Sequence, residues 1–528
     1  MVKPFLKYAF LLLLLCSIGC TEPGIPGTGE NSTPALTRIA TSAFSLEIPS
    51  GGEAELTFSV TDPEYAFNYN CTGADSQVFL SLSSGEAPEA FILKEVVPGA
   101  GGGTYTAVIA DAGHGEPYDE YAVIVIRTSG GSFVQSEKIN IKSAKDPAAG
   151  IRTGLPVVYI DTAGGVDIKS KDTYVTATVG IKGFGGYQDF APAPARVKGR
   201  GNTTWEWPKK PYLIAFDSRQ SVLGMPKHKR WVLLANFMDR TLMRNLVSMK
   251  VSSMMTGLAW TPRCVPVELI LNGKHKGSYL LIEQVRVDKN RVNISETDGL
   301  LYELDFHYDN PVQWKDHDIP FAVKYPDEDD ITAEQISRAK SVISEASNVL
   351  YGSGFTDAQN GYAKYLDVDS FVDYWLVYEV MCNHELGNPG SVYFHKDLNG
   401  KLTAGPCWDF DWGVLSFKTS PQGQTGLVVG QAIWYARLFQ DPAFKARVRE
   451  RFLELKPLLQ TIPDYMEECR TLLSESAKLN FAMWNPADDR SMNGGSIING
   501  DENLSFDAAI DRLKSNFNTH LAVIESKL

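Results

Sequence analysis

The sequence is short of several things, and each shortage removes a class of protein. It holds seven cysteines in 528 residues. Cys16 and Cys20 fall near the start; Cys71, Cys264, Cys382, Cys407 and Cys469 are far apart, odd in number and without a Cys-x-x-Cys pair. That pattern argues against a disulfide framework or a thiolate zinc site, and the five are expected to be buried free thiols. No histidine cluster is present, which leaves a metal-dependent hydrolase without its usual ligands. Positive charge is in deficit: the net charge is −13, so nucleic acid is excluded as the main partner while local basic patches remain open. The apolar run from Ala9 to Leu15 falls short of the roughly 20 residues that cross a bilayer as a helix.

What the chain does have is the composition of a globular protein, with 44% hydrophobic and 21% charged residues, and a length that exceeds one usual core. Lys3 and Lys7 before the apolar run have the form of a secretory signal. The run ends in Ser17-Ile18-Gly19-Cys20, which resembles the lipobox of bacterial lipoproteins, with Cys20 as the lipidation site. Residues 1–20 are therefore expected to be a lipoprotein signal peptide. The Gly-, Pro-, Ser- and Thr-rich residues 21–35 are expected to be a flexible tether. The implied location is the cell envelope of a Gram-negative-type bacterium, on the periplasmic or outer face, with membrane attachment by lipid alone.

Residues 36–145 alternate in short apolar runs such as AELTFSV and YAVIVIRT between turn residues, the pattern of an all-β immunoglobulin-like sandwich. From residue 150 to 528 the pattern becomes α+β. Strand-like segments come first, among them VPVELIL and GSYLLIEQV around Asn272-Gly273, a pair suited to a type I′ hairpin turn. Asp239 is placed to cap a helix through LMRNLVSMKVSSMM, and Asp369 to cap FVDYWLVYEVM. Amphipathic helices follow, ARVRERFLELKPLL being the clearest. A β-rich lobe, then helix, polar loop, hairpin and acidic motif is the element order of protein kinases.

The stretch GPCWDFDWG at 405–413 carries Asp409 and Asp411 between tryptophans, where carboxylates are costly without compensation. In an extended segment the two would point the same way and offer hard oxygen ligands to magnesium; alternatively they pair with arginines or cap a turn. Between Glu206 and Lys250 nine Lys or Arg residues face only three acids, which fits an anion-binding lobe.

Five motifs in order, KGRGNTTW with PKKPYLIAF, NFMDRTLMRNLVS, ELILNGKHKGSYLLIEQV, YEVMCNHELGNPGSVYFHKD and GPCWDFDWG, resemble the CotH (spore coat protein H) kinase family over about residues 155–415. The resemblance implies an atypical protein-kinase-like two-lobed fold, use of ATP and Mg2+, and phosphorylation of Ser or Thr on surface or secreted proteins. A catalytically weak scaffold acting as a surface binding or adhesion module is the other expectation. By the same resemblance, Arg200, Gly201 and Asn202 form a loop near the nucleotide, or else an ordinary hairpin turn. Of Lys209 and Lys210, which precede a strand, Lys210 at the strand entrance is the better placed to reach the phosphates, or else is an ordinary surface lysine. Glu283 lies where a kinase chain crosses between lobes, or pairs with Arg286 or Lys289. Trp408 stacks on a base or ring, Asp409 and Asp411 hold the metal, Arg244 and Asn245 are structural, and Glu385 with Asn383 forms the catalytic loop. Many relatives carry aspartate where Glu385 stands, and His384 beside it is a further candidate base.

Overall fold

The computed structural model describes residues 39–48, 52–60, 76–82, 90–101, 103–112, 118–128, 133–143, 148, 151–184, 186–327, 329–486 and 499–528. Cys20, the expected signal peptide and tether, and Cys71 lie outside the described residues. The chain divides into two units, Met1–Asp146 and Pro147–Leu528.

In the first unit nine strands are described: β1 (Ile39–Thr41), β2 (Ser45–Ile48), β3 (Glu53–Val60), β4 (Ser76–Leu82), β5 (Phe91–Pro98), β6 (Thr104–Asp111), β7 (Tyr118–Thr128), β8 (Phe133–Gln135) and β9 (Ile139–Ser143). They form one sheet in the order β1-β3-β6-β5 and another in the order β2-β9-β7-β4, with β8 on β7. Side chains alternate across each strand, so Leu56 and Phe58 from one sheet and Ile124, Ile126, Ile139 and Ile141 from the other meet in one buried cluster.

The second unit begins with a closed barrel of β10 (Val157–Thr162), β11 (Val175–Lys182), β12 (Phe190–Gly199), β13 (Tyr212–Gln220), β14 (His228–Leu234), β15 (Cys264–Leu271) and β16 (Lys274–Glu283). All its pairings are antiparallel except β10 with β15, which closes the ring. Inward positions such as Val197, Ile214, Trp231 and Leu281 fill it. Asn272 and Gly273 both take positive φ, 50° and 70°, as a type I′ turn requires.

A second sheet, in the order β18-β19-β17-β20-β21, comprises β17 (Leu300–Leu304), β18 (Gln313–Asp316), β19 (Ile319–Tyr325), β20 (Val392–Lys396) and β21 (Thr403–Ala404). The helices are α1 (Thr203–Glu206), α2 (Arg244–Ser253), α3 (Ala333–Tyr351), α4 (Val368–Val380), α5 (Tyr435–Leu438), α6 (Pro442–Leu459), α7 (Ile462–Met483) and α8 (Phe506–Lys527). Helix α4 is buried from Ser370 to Val380 on every side, so it is the axle on which β21, α6 and α8 pack. Its N-cap is Asp367, whose carboxylate accepts from Ser370 N at 3.2 Å, and not Asp369, which pairs with Arg447 instead. Asp239 stands before α2 as expected, but the helix starts only at Arg244, whose N–H it accepts at 2.8 Å. Cys382, Cys407 and Cys469 are buried free thiols, and Cys264 is half-buried. None of the described helices is long and apolar enough to cross a membrane.

Candidate active site

Within the second unit a cleft of about 820 Å³ opens between the barrel and the second sheet. Its barrel wall comes from the end of β12, from Leu213 on β13, from Arg230 and Leu234 on β14 and from the crossing segment Gln284–Val287. The opposite wall comes from Leu301, Glu303 and Asp305 and from Val323 and Lys324. His384, Glu385, Trp408, Asp409 and Asp411 close one end.

Two chain segments distant in sequence make that end. Helix α4 delivers the first: its last turn runs into Cys382, with φ +50°, and then Asn383, whose Oδ1 accepts the Glu385 N–H at 2.9 Å. Asn383 is fully buried and does not line the cleft, so it positions Glu385 rather than meeting a ligand. The second segment is 408–412, and it is not extended. Asp409 has φ +65°, an uncommon conformation for a residue with a side chain, so the period-two argument for parallel carboxylates fails. The two aspartates still face one cleft because the loop is pinned. Phe410 N donates to Asn245 Oδ1 at 2.9 Å, Gly413 N donates to Asn499 Oδ1 at 2.9 Å, and Asn499 Nδ2 donates to the Asp411 carbonyl at 3.2 Å.

All three carboxyls hold their protons more tightly than usual, burial being the main cause in each. Burial, then Asp409 and Asp411, hold Glu385 well above the ordinary carboxylate range. Burial, then Asp409 and Asp239, push Asp411 up to about 8, with Arg200 acting the other way. Burial also raises Asp409 against the lowering influence of Arg200 and a hydrogen bond from Ser391. Among the described residues no three His, Cys, Asp or Glu are assembled to hold a metal ion.

The glycine-rich loop lies against this end. Gly201 has φ +87°, and a Cβ there would sit 2.0 Å from Thr204 Oγ1, so only glycine lets the backbone turn here. Arg200 lies over the Trp408 ring at 5.6 Å. Trp408 is 3% exposed, so its ring meets Arg200 and is not an open platform for a base. Asn202 lines the cleft and accepts from Lys171 at 3.2 Å.

Two expected residues lie elsewhere. Lys210 does not line the cleft; its ammonium donates to the Trp205 carbonyl at 2.6 Å. Glu283 is fully buried, and its carboxylate accepts from Arg263 N and Nε, both at 2.9 Å, with Arg291 3.8 Å away. Neither Arg286 nor Lys289 is its partner: Arg286 bonds Asp327 at 2.7 Å. The strand-borne lysine that does line the cleft is Lys198, on the same face of β12 as Arg200. Its signal was in the sequence, since 198 and 200 differ by the strand period. Asn499, which holds the loop from more than eighty residues downstream, and Asp501, which bonds Arg244, carried no such signal.

A family model described as CotH kinase protein matches residues 197–522, which takes in most of the barrel, the second sheet, helices α1 to α7, most of α8 and the whole cleft end. No curated protein matches the chain.

Proposed function

The chain belongs to the CotH kinase family, and from that membership we propose that it binds ATP with magnesium in this cleft and phosphorylates Ser or Thr of surface or secreted proteins. The observation that carries the reading is the crowding of Glu385, Asp409 and Asp411 opposite a wall bearing Lys198 and Arg200. Mutually repelling carboxylates with hard oxygens suit a divalent cation. Asp409 and Asp411 would hold magnesium, which takes few protein ligands and completes its shell with water and phosphate. When bound, the metal neutralises charge on the phosphates. Arg200, Lys198 and the backbone at Gly201 orient the phosphate chain, the apolar patch of Leu213, Val285, Leu301 and Val323 receives the base, and Glu385 takes the proton from the acceptor hydroxyl. In this reading the barrel is the small lobe and the helical part the large lobe of a kinase-like fold. The two-sheet unit is an immunoglobulin-type module, its orders corresponding to A-B-E-D and to a second sheet that contains C, F and G.

A thermal-shift titration with ATP and MgCl2 tests the reading. The wild type is expected to melt higher with both ligands, and Asp409→Asn to fold normally without that shift. A normal shift in Asp409→Asn would mean the acidic pair is structural. One feature favours the scaffold alternative: Glu385 is one methylene longer than aspartate and its carboxyl is driven toward the neutral form, which weakens a base.

For location, we propose lipid attachment through Cys20 at the cell envelope. Replacing Cys20 by Ser should release the protein into a soluble fraction or leave it unprocessed, and undiminished membrane attachment would sink the proposal.

A further inference from the structure

The barrel wall carries more positive charge than a nucleotide needs. On β12 the buried positions are Ala195, Val197 and Gly199, so Arg196 and Lys198 project outward, and Arg200 continues the series just past the strand. Across the sheet Arg196 is registered with Ala215, and Ala215 with Arg230 on β14, so the two arginines flank a small side chain in one row. Tyr174 stands between them: Arg196, Lys198 and Arg230 lie 5.2, 4.9 and 5.6 Å from its ring centre, and Arg230 also donates to its hydroxyl. Among the described residues none of these three cations is within ion-pair distance of a carboxylate, although the protein as a whole is acidic and eight of its other arginines are so paired.

Distance decides what this cluster serves. At about 3.3 Å per strand residue, Arg196 lies roughly 13 Å along the chain from Arg200. A triphosphate with its terminal group at Asp409 and Asp411 spans less than that, so Arg200 and Lys198 account for its phosphates. Arg196 and Arg230 are left over. The base is accounted for as well, because the apolar patch lies toward the crossing segment and the second sheet. Like charges held together around an aromatic ring, with no carboxylate among them, cost stability unless an anion comes to them.

We propose that Arg196 and Arg230 on the Tyr174 ring form an anion subsite at the barrel rim of the cleft, which takes an acidic side chain of the acceptor protein flanking its reactive hydroxyl. The proposal rests on the nucleotide-binding reading for the direction in which the acceptor approaches. Its recognition chemistry is independent of that reading.

The test uses the full chain and two fluorescein-labelled peptides, one with a single serine among glutamates and one with glutamine in place of each glutamate. Fluorescence anisotropy is read for the wild type, for Arg196→Glu, whose side chain is exposed and outside the cleft lining, and for Arg230→Gln. A parallel thermal-shift titration with ATP and MgCl2 reports the nucleotide. The expected result is binding of the glutamate peptide over its glutamine counterpart, weakened about tenfold or more in Arg196→Glu, with the nucleotide shift unchanged. Equal binding of both peptides, no binding of either, or an undiminished preference in both variants overturns the proposal. So does a loss of the nucleotide shift in Arg196→Glu, which would assign these cations to the nucleotide itself. A wild type that binds the glutamate peptide selectively but shows no shift with ATP and MgCl2 would defeat the nucleotide reading alone and leave the subsite standing.

Discussion

Two groups of buried acids lie close together in this protein and are treated in opposite ways. Asp239 and Asp501 share one cation: the Arg244 guanidinium bonds both, at 2.6 Å to Asp501, and its Nε donates to the Val414 carbonyl at 2.9 Å. All three side chains are at most 3% exposed, and the two acids raise the affinity of Arg244 for its proton against the effect of burial. Among the described residues, Glu385, Asp409 and Asp411 nearby have no such cation among them; Arg200 acts on the two aspartates but forms an ion pair with neither. The first group is a finished structure. The second is unfinished, and it lines the cleft. Position and polarity are alike in the two groups, so compensation is what separates scaffold from site.

The strongest way to break that comparison is to remove the shared cation. Arg244→Leu leaves two buried carboxylates unpaired and frees the loop at Val414, so urea denaturation should register a loss of about 3–5 kcal/mol. A loss below about 1 kcal/mol would mean that water or relaxation supplies what Arg244 supplies, and the contrast between the groups would vanish. The same operation on the unfinished group should leave stability nearly alone. Glu385→Gln replaces a buried carboxyl already driven toward its neutral form by a neutral amide of similar shape, so the fold should be about as stable as the wild type, and ATP affinity should persist. Phosphate transfer, followed with radiolabelled ATP, should fall by about two to four orders of magnitude if Glu385 is the base. If the wild type transfers little to begin with, the scaffold reading takes over, and Glu385→Asp should raise transfer by restoring the shorter reach.

How much of this could be read beforehand depends on the range of each interaction. Asn272-Gly273 announced its hairpin because the turn is decided by two adjacent residues. The apolar spacing of Phe444, Val448, Phe452, Leu455 and Leu459 announced α6 for the same local reason. Asp409, Asp411, Glu385 and Arg200 were legible as a constellation through motif order, and all line one cleft. Lys210 and Glu283 were misplaced because their surroundings are set by tertiary partners, Trp205 in one case and Arg263 in the other. Asp367 took the cap assigned to Asp369: the helix begins at Val368, so Asp369 lies inside its first turn, where the arginine at 447 claims it. The clamp of Asn499 on the acidic loop had no local trace at all. Sequence spacing states which side chains share a strand face, but not which carboxylate finds a cation from another part of the chain.

A third buried charge sharpens the comparison with the smallest effect. Lys209 is fully buried between the barrel and α7; its ammonium donates to the Ser278 carbonyl and to Asn480 Oδ1 at 2.7 Å, and lies 4.5 Å from the centre of the Tyr279 ring. Burial lowers it from 10.5 to about 7, with Glu268 acting in the opposite direction. Between those two values the unfolded chain holds a proton that the folded protein has released. Stability contributed through Lys209 must therefore rise with pH from about 7 toward 10.5, by at most about 1.4 kcal/mol per pH unit. Asp411 has the opposite sign: pushed up to about 8, it keeps a proton that the unfolded chain loses near 3.8, so its contribution falls as pH rises between those limits. Urea denaturation of the wild type and of Lys209→Met at pH 7, 8 and 9 separates the two, since both proteins share the Asp411 slope and only the wild type has the lysine's. The difference in stability between them should shift in favour of the wild type as pH rises. A difference that does not change with pH would mean that Lys209 stays charged when buried, compensated by Glu268 as fully as Asp239 and Asp501 are by Arg244. The acidic end of the cleft would then be the one place among these three where burial outruns compensation.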